Sequence, residues 1–147
     1  MTQRTEARFK AVNRTTNNTG NGSNLRYNII VFNEGGTYNT SNYEYTVDNA
    51  GTYLIGYSHT KRFSSYATQY PAYSYLELTR GGISTTISSS SGVTASGGVI
   101  ISNYSIHQFE EGDIIAVKAL SGQPRMNENG YSGPDVKNSF FGIKLNY

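Results

Sequence analysis

Residues 43–57 read YEYTVDNAGTYLIGY, four tyrosines in a short span with Gly51 between two runs. In an extended chain, side chains alternate between faces. Tyr53, Ile55 and Tyr57 therefore share one side, and Thr52, Leu54 and Gly56 the other. Both sides carry apolar mass, and a strand with two apolar faces needs cover on both. One cover is the interior of a sandwich. The second has to come from outside a chain this short. The same pattern recurs in SFFGIKL (139–145), where Phe140 and Phe141 point opposite ways, and in VIISNYSIHQF (99–109). Three such strands predict a subunit interface.

Working outward, the rest of the chain supports an all-β reading. Tyr, Thr, Ser, Asn and Gly dominate; β-branched and aromatic residues favour strands, while Gly and Asn supply turns. No window shows a sustained helical repeat with caps. Strands are predicted at 7–12, 25–32, 43–47, 52–58, 73–80, 83–88, 99–109, 114–120 and 139–147. Gly81-Gly82 marks a tight hairpin turn. Turns are expected at 33–39 and 110–113, a flexible connection through the Ser/Gly stretch 88–98, and long loops at 13–24, 59–72 and 121–138. Short strands with turn signals between them read as a β-sandwich or jelly roll. The 147 residues form a single domain, 1–147, with 1–6 read as a flexible N-terminus at the end of a stalk.

Composition excludes several function classes. With no cysteine there is neither a disulfide framework nor a thiolate metal site. The net charge is +2, and no basic cluster exceeds Lys61-Arg62, so nothing suggests nucleic acid. No apolar run approaches the ~20 residues needed to cross a bilayer, which argues against membrane insertion. The start, MTQRTEARFK, lacks the apolar core of a signal peptide. There is no Gly-x-Ser-x-Gly elbow, phosphate loop or histidine pair at metal spacing, so no catalytic residue is assigned. Five Asn-x-Ser/Thr sites, at Asn13, Asn17, Asn21, Asn39 and Asn103, barely exceed what this composition yields by chance.

The order ARFKAV … YNIIVFN … YN … YEYTVDNAGTYLIGY … GGVIISNYSIHQFEEGDIIAVKAL … SFFGIKL resembles the globular head domain of the complement-1q / tumour necrosis factor superfamily. The similarity runs from about Ala7 to Leu145. Its more specific pieces are Phe32-Asn33, Tyr38-Asn39, Ala50-Gly51-x-Tyr53, Gly112-Asp113 before an apolar strand, and Phe140-x-Gly142. The chain departs from the pattern in its polar insert at 13–24, its lack of tryptophan and cysteine, and Lys144 in the last strand. The resemblance implies a ten-strand jelly roll, a homotrimer, and a non-enzymatic head that binds a target, often at the tip of a stalk. It places Leu54, Gly56, Ser58, Ser105, His107 and Phe140 at the threefold interface, with Tyr53, Ile55 and Tyr57 filling the sandwich.

Candidate ligand contacts are Tyr66, Tyr70, Tyr73 and Tyr131, in or beside long loops, joined by Lys61, Arg62 and Arg125. An exposed tyrosine offers a flat apolar face and a hydroxyl, which suits sugars and protein surfaces alike. Three copies of His107 at an axis could ligate a metal or sense pH; a hydrogen-bonded imidazole near the interface is the plainer reading. Glu110, Glu111 and Asp113 read as a turn. No cofactor is expected. Calcium has only Glu128 and Asp135 as candidate ligands, without DxDxDG-type spacing. Two functions stay open. One is a trimeric recognition head for a cell-surface glycan or protein, at the tip of an extracellular fibre on a virion or cell surface of microbial or viral origin. The other is a structural trimerisation or capping module without its own ligand.

Overall fold

Alternating buried and exposed positions, broken by glycine turns, draw out ten strands in the computed structural model, which describes residues 6–13, 22–61, 70–94, 99–120 and 138–146. They are β1 (Arg8–Val12), β2 (Ile29–Glu34), β3 (Gly36–Asn39), β4 (Glu44–Val47), β5 (Gly51–Lys61), β6 (Tyr70–Arg80), β7 (Ile83–Thr94), β8 (Val99–Phe109), β9 (Ile114–Leu120) and β10 (Ser139–Lys144). Two antiparallel five-stranded sheets result. The first has the order β2-β1-β10-β5-β8 and the second β3-β4-β9-β6-β7. This is a jelly-roll sandwich.

The tyrosines of 43–57 pack into the layer between the sheets. Tyr45, Tyr53, Ile55 and Tyr57 are all buried. Phe9 stacks on Tyr45 with centroids 3.9 Å apart and meets Phe140 edge-on at 4.9 Å. Each ring contributes on the order of 1.5–3 kcal/mol by leaving water. A tyrosine suits this layer because its ring fills the interior while its hydroxyl can reach backbone at the margin. Tyr38 donates to Tyr27 O (2.8 Å), Tyr53 to Asn49 O (2.7 Å) and Tyr27 to Ser58 O (3.0 Å). Tyr57 shares a 2.8 Å hydrogen bond with the buried Ser74 hydroxyl.

Several elements differ from the sequence reading. The expected turn at 33–39 holds strand β3, which pairs with β4 from Gly36↔Val47 to Asn39↔Glu44. Gly36 is glycine because a Cβ there would lie 2.0 Å from the Tyr45 hydroxyl. The supposed flexible connection continues β7 as far as Thr94. Residues 25–28 precede β2 instead of opening it. Leu25 is buried, and its N–H donates to Val117 O (2.7 Å) on β9. Strands β5 and β6 also extend into the expected loop 59–72.

Candidate functional site on two outer faces

The first sheet carries apolar side chains on its outer face as well as its inner one. Cross-strand register sets Leu54 of β5 between Ile143 of β10 and Ile106 of β8, and Gly56 between Phe141 and Tyr104. A Cβ on Gly56 would lie 2.8 Å from Phe141 Cζ and 2.9 Å from Tyr104 Cβ, so glycine lets these side chains close over the strand. Tyr104 is 74% exposed and Ile106 61%. Toward β2 the face gains a polar rim. Arg8 sits over the Phe32 ring (5.3 Å) and donates through Nε to Glu34 (2.7 Å).

Of the residues expected at a subunit interface, Leu54, Gly56 and Ser58 lie on this outer face, with Ser58 Oγ 3.3 Å from Ser139 Oγ. Three others do not. Phe140 turns inward and is fully buried against Phe9, Tyr27 and Tyr38. Ser105 pairs with Ile55 and His107 with Tyr53, so both share the inward side of β8. The His107 ring lies 4.9 Å from Phe109. The outward positions are instead Tyr104, Ile106, Phe141 and Ile143. Alternation could have found them, but only after the face of one residue per strand was known.

The outer face of the second sheet has a different chemistry. On β6, Leu76 and Leu78 point inward, and Tyr73 and Tyr75 point outward. Their cross-strand partners on β7 are Ser91 and Ser89. Tall rings beside short hydroxymethyl groups leave an open groove of about 440 Å³. A bulge at Leu76/Glu77 shapes its far end: Ile87 packs against the core, and Thr86 comes out opposite Glu77 to join the lining. Ser74 and Ser90 complete it. Among the described residues, the charges beside it on β9 and β6, Lys118 and Glu77, pair with each other at 3.0 Å.

Tyr73, 49% exposed, is thus the one expected ligand contact whose side chain the structure describes, and it stands in a strand, not a loop. Tyr70 opens β6 and Lys61 closes β5, with their side chains outside the described residues. Tyr66, Arg62, Arg125 and Tyr131 lie outside the described residues, as do the calcium candidates Glu128 and Asp135. Among the described residues, no cluster of three histidine or carboxylate groups could hold a metal. The 110–113 segment is a turn: Gly112 has φ 89°, and Asp113 accepts a hydrogen bond from the Glu110 amide at 2.7 Å.

No protein-family model and no curated protein matches the sequence. Solved structures do. Eiger TNF from S. frugiperda superimposes with a TM-score of 0.78 at 13% identity, covering 97% of this chain and 94% of that one. Murine APRIL gives 0.72 at 13% identity, covering 95% and 99%. The globular domain of zebrafish complement 1qA gives 0.71 at 13% identity, covering 96% and 98%. This chain therefore has the jelly-roll fold of the tumour necrosis factor and complement-1q globular domains.

Proposed function

We propose that this chain is a non-enzymatic recognition head that assembles as a homotrimer and binds an extracellular glycan or protein, at a fibre tip on a virion or cell surface. One observation carries this reading. The outer face of the first sheet leaves Tyr104 and Ile106 largely exposed beside Leu54, Phe141 and Ile143, in a chain whose core is already filled. A contiguous apolar patch of this kind marks an interaction surface. A second copy supplies the missing cover, and a threefold ring closes such head-to-tail contacts without leaving an open end. The second sheet then faces outward, so one assembly presents three equivalent sites and weak single contacts add up to avidity.

Sedimentation over a wide dilution range tests assembly, with three times the protomer mass expected. A folded single copy at every concentration would overturn the reading. Binding of the assembled protein to cells and arrayed glycans tests recognition. A trimer silent on both is a structural cap, not a head.

A further inference from the structure

The groove between β6 and β7 deepens the recognition reading and rests on it. The lining carries no charge, and each side chain on its outward face bears a hydroxyl: Tyr73, Tyr75, Thr86, Ser89 and Ser91, whereas Ser74, bonded to Tyr57, and its partner Ser90 face inward. Hydroxyls both donate and accept, so this lining can satisfy a ligand whose own groups do both. Between β6 and β7 the facing backbone groups are committed to the ladder, so along the floor of the groove side-chain hydroxyls are the groups on offer.

Relief adds a second constraint. Tyr73 and Tyr75, two residues apart on one face, stand about 6.6 Å apart along the strand. Ser91 and Ser89 opposite them are short, so each ring exposes a flank to the trough. A tyrosine flank is an apolar plate suited to the C–H face of a saturated ring. Among the described residues an anion finds no free cation on this face, because Lys118 is held by Glu77. An apolar peptide side chain would leave the serines without partners.

From this relief and lining we propose that the groove is a subsite for an uncharged pyranose: the ring packs against Tyr73 and Tyr75 while its hydroxyls bond Ser89, Ser91 and Thr86. The site lies on the sheet opposite the apolar face, so assembly leaves it open.

The test is a titration of the full-length assembled protein with the methyl glycosides of glucose, galactose and mannose and their neutral oligomers. Binding is read by amide shifts and by saturation transfer to ligand protons. Saturation of ring C–H protons is expected, with shifts centred on 73–75 and 86–91. Tyr73→Ala should weaken binding about tenfold or more, whereas Tyr73→Phe keeps the ring and most of the affinity. Ser89→Leu should block the trough. Sedimentation and thermal melting confirm that each variant stays folded and assembled. If the assembled protein binds cells but no neutral sugar, or if sialylated or sulfated glycans bind and Tyr73→Ala leaves them unchanged, the subsite is wrong and the recognition reading survives. A protein that binds neither cells nor any glycan overturns both.

Discussion

Arg80 holds Asp113 with two hydrogen bonds, Nε to Oδ1 at 2.8 Å and Nη2 to Oδ2 at 2.6 Å, tying the end of β6 to the turn that opens β9. The Asp113 side chain is 2% exposed, and its Oδ2 also accepts the Glu110 amide at 2.7 Å. Burial by itself would push this carboxyl up. The Arg80 and Glu110 hydrogen bonds and the Arg80 charge more than offset it, so the group sits below its ordinary value.

A lowered folded value stabilises the protein above the unfolded carboxylate range, and that contribution is lost as pH falls through the folded value. Asp113→Asn removes the charge and turns one acceptor into a donor facing Arg80. Unfolding at neutral pH should become easier by about 1–3 kcal/mol. Below about pH 4, where the unfolded carboxylate protonates, the wild type should lose part of its advantage over the variant. Urea melts at pH 7 and pH 3 check both; an equal gap at the two values contradicts the assignment.

Gly142 lies directly under Phe9. A Cβ there would come within 2.5 Å of Phe9 Cε1, and that ring is already held between Tyr45 and Phe140. No left-handed backbone is involved, so the requirement is purely one of space. Gly142→Ala should cost about 1–3 kcal/mol by overpacking. Combining it with Phe9→Leu should recover part of the loss, which a backbone effect would not allow. Denaturation midpoints of the single and double variants decide this.

The extent of β4 and the inward face of β5 were legible, because YEYTV and TYLIGY alternate between glycine and asparagine breaks and a sandwich must bury the larger rings. The facing of β8 was not. It is an edge strand, so its inward side chains sit at the margin of the sandwich, where Asn103, Ser105 and His107 remain half-buried and polar. Apolar Tyr104 and Ile106 point away, reversing the usual pattern. Phe140 and Phe141 are equally apolar, and what separates them is distant: Gly142 makes room for Phe9 and Gly56 for Phe141. The serine run of β7 hid a strand for a related reason. It pairs on one side only, with β6, and needs little apolar mass. Its bulge turns Ile87 inward against simple alternation.

Under the proposed assembly, the two adjacent phenylalanines should separate folding from association. Phe140→Ala leaves a cavity beside Phe9 and Tyr38, and each protomer should lose about 3–5 kcal/mol. Phe141→Ala removes a ring from the outer face, so its main effect should be on the association constant. Measuring unfolding and sedimentation for both variants should give opposite patterns. If Phe141→Ala matched Phe140→Ala in protomer stability and left association intact, the outer face would not be the interface.

Ile106 gives the sharpest test of what covers that face. At 61% exposed in a lone chain it has little to lose from a polar replacement, and surface changes of this kind usually stay within about 0.5 kcal/mol. Within an assembled interface the same position is desolvated, and an aspartate there would be a buried, unpaired charge. Ile106→Asp should therefore keep the β-sheet circular dichroism and thermal melt of a folded protomer while sedimenting at protomer mass. Retention of the assembled mass by this variant would place the contact elsewhere, because no apolar interface through Leu54, Ile143 and Ile106 could absorb three such charges.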